Sequence, residues 1–118
     1  MNEWIGVDLD GTLAKYDHWR GETHIGAPIV SMVERIKRWR SEGREVRIFT
    51  ARISADGKSE DDVSEIRTHI EKWCKETLGE ILKITNVKDY GMVELWDDRC
   101  VQVESNTGML IGRSTRGL

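Results

Sequence analysis

An α/β fold built on a mainly parallel sheet is what this sequence predicts, and three observations point to it. Apolar runs of strand length, at 4–7, 46–49, 81–85 and 92–96, are separated by two stretches of helical periodicity. Parallel neighbours need crossovers of that kind. The runs end on or shortly before polar residues, Asp8, Thr50, Lys88 and Asp97, and an open parallel sheet binds ligands just beyond its strands' carboxyl ends.

The elements follow in order. Residues 4–7 form a buried first strand stopping at Asp8, Asp10, Gly11 and Thr12. Over 28–39, Ile29, Met32, Val33, Ile36 and Trp39 recur at spacings of three and four, with Pro28 suited to a first helical turn and Gly43 closing the segment. Val46, Ile48 and Phe49 give a second strand, which stops at Thr50, Ala51 and Arg52. Ser59, with Asp62 three residues on, opens a second helix whose face is Val63, Ile66, Ile70, Trp73, Cys74 and Leu78, ending near Gly79. Trp39 and Trp73 fall on the apolar faces of the two helices and read as core. Residues 81–85 make a third strand with Lys88 in the turn behind it. Residues 92–96 make a fourth, running into Asp97, Asp98 and Arg99. Alternating Val101 and Val103 read as an edge strand, and 105–118 as a short C-terminal strand at 109–111 or a loose tail around Gly108, Gly112 and Gly117.

With 118 residues the chain has room for a single domain, 1–118, with its core over 4–104. Apolar residues at 38% and charged residues at 33% describe a globular chain, and the net charge of −3 exerts no general pull on nucleic acid or anionic lipid. No apolar run approaches the roughly 20 residues needed to cross a bilayer, and the Met-Asn-Glu-Trp start does not read as an export leader. Cys74 and Cys100 lack CxxC spacing, so buried free thiols in a reducing cytoplasm are expected rather than a disulfide or a zinc site. His18, His24 and His69 have no metal-ligand spacing. The basic stretch from Arg35 to Arg47 is interleaved with Glu34, Glu42 and Glu45 and reads as a solvated face.

The chemistry concentrates in two acidic pairs. Residues two apart in a strand face one side, so Asp8 and Asp10 are expected to point into one pocket, where their repulsion calls for a cation or a proton. Gly11 permits a sharp turn and a close backbone approach, and Thr12 brings a hydroxyl and amides that could meet an anion. Asp97 and Asp98, at the end of a buried strand, need compensation from Arg99 or from a metal. Magnesium, bound by few carboxylates plus water and phosphate, fits the combination, with Asp8, Asp10, Asp97 and Asp98 as the candidate set. One of Asp97 and Asp98 is expected to touch the ion and the other to support it. The hydroxyl of Thr50 could bond a phosphate oxygen, and Lys88 could neutralise acids and phosphate.

The segments Asp8-Leu9-Asp10-Gly11-Thr12, Ile48-Phe49-Thr50-Ala51-Arg52, Asn86-Val87-Lys88 and Leu95-Trp96-Asp97-Asp98-Arg99 resemble, in order, the four motifs of the haloacid dehalogenase (HAD) superfamily of phosphotransferases. The Asp-Asp-Arg ending is similar to that of polynucleotide kinase 3'-phosphatase and carboxy-terminal-domain phosphatase modules. The resemblance implies a three-layer α/β sandwich with a Rossmann-like core, magnesium dependence and an aspartyl-phosphate mechanism. Asp8 would be the nucleophile, Asp10 the general acid and base, and Gly11, Thr12, Thr50 and Lys88 the phosphate-binding residues. Magnesium would be held by Asp8, the Asp10 backbone carbonyl and Asp98 or Asp97. Neither slot for the family's cap domain has room, so the site is expected to stand open to a phosphorylated substrate, including a macromolecular or nucleic-acid end, or to be closed by a neighbouring subunit of a homo-oligomer. Residues 15–24, with Tyr16, His18, Trp19 and Arg20, would serve as a small flap contacting substrate.

A response-regulator receiver is disfavoured, because its phosphorylated Asp follows the third strand. The alternative from another class is a catalytically silent module that binds phosphate or nucleic acid. It would be marked by loss of the nucleophile or the acid, and the sequence retains both Asp8 and Asp10.

Overall fold

A computed structural model describes residues 2–112; Met1 and residues 113–118, which include the Gly117 end of the expected tail, lie outside the described residues. The order is β1 (Trp4–Asp8), α1 (Val30–Ser41), β2 (Glu45–Phe49), a 3-10 turn (Ala51–Ile53), α2 (Glu60–Leu78), β3 (Lys83–Thr85) and β4 (Met92–Trp96). The strands form one four-stranded sheet in the order β3-β2-β1-β4, parallel throughout. The α/β class and parallel sheet expected from the sequence are therefore those of the structure.

The central strand β1 explains its own composition. It has neighbours on both edges, so Trp4, Ile5 and Val7 are all buried and the run is apolar rather than alternating. The β1-α1-β2 and β2-α2-β3 crossovers step the same way across the sheet, and right-handed crossovers then place both helices on one face. There Ile5, Val7, Val46, Ile48 and Ile84 meet Met32, Ile36 and Trp39 of α1 and Ile66, Ile70, Cys74 and Leu78 of α2. Trp39 also packs edge-on against Trp96, ring centroids 5.1 Å apart. The other face, bearing Trp4 and Arg47, is crossed by the connection from β3 to β4, where Asp89 accepts from the Trp4 indole at 2.8 Å. Among the described residues no helix covers this face, so in place of the expected three-layer sandwich the structure has one layer of helices on one sheet.

Helix α2 is bounded as the sequence predicts. The Ser59 hydroxyl accepts from the Asp62 amide at 3.1 Å, Asp62 returns the bond to the Ser59 amide, and Gly79 closes the helix at φ 82°. Helix α1 begins later than expected. Ile29, not Pro28, precedes its first residue, because backbone bonds from Ile29 to Leu13 and from Lys15 to Ala27, each 2.8 Å, draw Pro28 into a bridge beside Ala14. β3 is confined to Lys83–Thr85, with Ile81 exposed.

The expected edge strand at 101–103 is not part of the sheet. Val103 instead bridges Leu110 in a local hairpin held by Glu104 to Met109 (2.7 Å) and Ile111 to Gln102 (2.8 Å), which satisfies the alternating segment away from the sheet. Cys74 is buried, but Cys100, expected to be buried too, is exposed after the chain leaves β4. Among the described residues, no helix is long and apolar enough to cross a membrane.

Candidate functional site

Sheet order decides where the acids meet. β1 lies between β2 and β4, with Val7 opposite Trp96 and Asp8 opposite Phe49. The residue closing β1 and the two that follow β4 therefore emerge side by side at one carboxyl rim. Ligand oxygens of Asp8, Asp97 and Asp98 all lie within 4.8 Å of one another.

Thr12 ties this group together. Its hydroxyl oxygen accepts from the Asp98 amide at 3.0 Å and lies 3.3 Å from a carboxylate oxygen of both Asp8 and Asp98, so its single proton can serve one of them at a time. Gly11 has φ 90°, and a Cβ on it would stand 2.8 Å from the Asp98 carboxyl carbon. Only glycine lets this turn pass so close to the acid. The Gly11 and Thr12 amides, expected to face an anion, instead donate to Ala14 and Leu9 at 2.8 and 3.4 Å within the turn. These two residues build the acidic cluster and leave no open amide for a phosphate.

Burial, followed by the charges of Asp97 and then Asp98, pushes the Asp8 carboxyl up to about 8. Among the described residues, no ion pair joins Arg99 to Asp97 or Asp98. Arg99 donates only its backbone amide to Asp97, at 2.8 Å. Among the described residues, no cation forms an ion pair with any of the three acids. Three carboxylate oxygens this close, with a hydroxyl beside them, are a donor set that suits a hard divalent ion such as magnesium.

Asp10 is placed differently. Its two oxygens receive the fork of Arg52 at 2.7 and 2.8 Å, and its carboxylate is not one of the clustered ligands. Arg52 is 8% exposed. It also donates to the carbonyls of Glu22 (2.9 Å) and His24 (2.8 Å), and its guanidinium lies 5.0 Å from the centroid of the Trp19 ring. One side chain thereby fastens the expected flap to Asp10.

Thr50, 2% exposed, sits where β2 ends. Its hydroxyl accepts from the Arg52 amide at 3.1 Å and its own amide donates to Thr85 at 3.0 Å, which leaves the hydroxyl proton to offer. Asp8, Asp10, Thr50, Asp97 and Asp98 line one cavity of about 780 Å³, together with Tyr16, Trp19 and Arg52. Lys88 is exposed and is not among the residues lining that cavity. It acts on the Cys100 thiol, which partial burial first, and then Asp97, Asp8 and Asp98, push up against its influence.

Arg52 is the participant that the sequence reading passed over, although it stands in the second motif segment. The available signal was a lone arginine at a strand's carboxyl end, at a rim otherwise rich in carboxylates. Lys58 was also missed. It lines the cavity, donating to the Arg52 and Ser54 carbonyls at 3.3 and 3.2 Å.

No family model matches the chain, and no curated protein does. Among solved structures, a conserved protein from Bacteroides thetaiotaomicron is similar, with 20% identity over 86% of this chain and 79% of its own, at a TM-score of 0.57. At that identity the likeness is one of fold.

Proposed function

We propose that this protein is a magnesium-dependent phosphomonoester hydrolase of the HAD type, working through an aspartyl-phosphate on Asp8. The observation that carries the reading is the gathering of ligand oxygens of Asp8, Asp97 and Asp98 within 4.8 Å, with no ion pair to any of the three among the described residues, in the cavity that also holds Asp10. Residues of the first, second and fourth motif segments line that cavity and add support, while Lys88 of the third lies outside its lining.

Asp8, Asp97 and Asp98 would hold the magnesium, which when bound offsets repulsion between carboxylate and phosphate. An Asp8 oxygen forms a bond to phosphorus as the ester oxygen departs, and Asp10 gives that oxygen its proton. In the second half, water attacks the phosphorus of the acyl phosphate and passes a proton to Asp10, releasing phosphate and restoring Asp8. Asp10 can act as an acid only by releasing a bond from Arg52, since the guanidinium engages both of its oxygens. Thr50 offers its hydroxyl to a phosphate oxygen from the floor of the cavity.

The test is phosphate release from a panel of phosphomonoesters with magnesium, using Asp8→Asn as the blank. Magnesium-dependent release that vanishes in the variant is expected. Release by Asp8→Asn at the parent rate would overturn the nucleophile assignment, and no release from any ester would leave the silent binding module as the better reading.

A further inference from the structure

Tyr16 and Trp19 are large aromatic side chains left 50% and 53% exposed, yet both line the cavity of the acidic cluster. Trp19 is not loosely hung there. Arg52 lies against one face of its ring, and the same guanidinium holds the backbone at Glu22 and His24 and both oxygens of Asp10. The turn before it is braced as well. Asp17 accepts from the Arg20 guanidinium and from the His18 amide, each at 2.8 Å. The ring is therefore registered to the proton-handling carboxylate through one planar, almost fully buried group.

A ring has two faces, and Arg52 takes one. We propose that the open surface of Trp19, assisted by Tyr16, is a stacking platform for a planar ring on the alcohol side of the ester, so that the substrates are ring-bearing phosphomonoesters rather than simple alkyl phosphates. The inference rests on the hydrolase reading and adds a substrate class to it. Stacking on a ring already fixed in place loses little conformational freedom on binding. The Arg52 guanidinium on the other face holds the ring by a cation–π contact, 5.0 Å from its centroid. An alkyl group placed there would bury less of the ring and gain none of the stacking.

The test uses non-hydrolysable ligands, 1-naphthylphosphonate and methylphosphonate, titrated calorimetrically into the full chain with magnesium. The parent is expected to prefer the naphthyl compound, and Trp19→Ala to lower that preference about tenfold. Trp19→Phe, which keeps a ring on the same backbone, should retain most of it. An unchanged preference in Trp19→Ala, or no binding of naphthylphosphonate by the parent, overturns the platform. Phosphate release from esters is scored separately. A protein that binds the naphthyl ligand through Trp19 but hydrolyses nothing upholds the platform and sinks the hydrolase, and a hydrolase with an unchanged ratio does the reverse.

Discussion

Asp8 carries a testable charge. Its carboxyl is raised from 3.8 to about 8, chiefly by burial and then by Asp97 and Asp98. Between those values the folded protein keeps a proton that the unfolded chain has released, so stability without metal falls as pH rises through that window. A divalent ion must displace the same proton. Thermal melts in chelator are therefore expected to show a lower midpoint at about pH 8 than at about pH 5, with magnesium raising the midpoint more at the higher pH. Asp8→Asn should abolish most of both effects, and a magnesium shift of equal size at both pH values would contradict the assignment. Arg52 is the second residue to test. Arg52→Gln frees Asp10 and the flap together, and kcat for an aryl phosphate should fall about a hundredfold. Arg52→Lys should restore little, because one ammonium cannot take both carboxylate oxygens in a fixed fork.

Among the elements, α2 and the turn after β1 make separable predictions. Ser59→Ala removes the reciprocal cap of α2 and is expected to cost about 1 kcal/mol, read in denaturant unfolding. The magnesium shift should survive, because Ser59 is not among the residues lining the acidic cavity. Gly11→Ala should cost about 1–2 kcal/mol through its positive φ. It should also weaken the magnesium shift, since the added methyl meets the Asp98 carboxyl. What was legible at this scale was local. The Ser59 and Asp62 spacing and the Gly79 stop are read within a few residues, and the structure has both. Pro28 and the segment at 101–103 misled because partners outside their windows, Ala14 and Leu110, claimed their backbones first.

At the scale of the whole molecule, the convergence of Asp8 with Asp97 and Asp98 was readable because all three follow apolar runs, and a parallel sheet aligns the carboxyl ends of its strands. Which side chain would neutralise which was not readable. Asp10 and Arg52 are 42 residues apart, and nothing local to either names the other. Lys88 had the right charge and a turn position, but β3 lies at the far edge of the sheet from β4, and the lysine stays exposed, outside the cavity lining.

The position of β1 between β2 and β4 also sets a timetable for synthesis. A nascent polypeptide presents Asp8 early and can build β1, α1 and β2 around it, but the companions of that aspartate arrive only when β4 has emerged and slotted against the exposed edge of β1. A half-made chain on the ribosome therefore has a lone carboxylate where the finished one has a cage. Any ion that settles there binds only the completed sheet, and by mass action pulls the last strand into place.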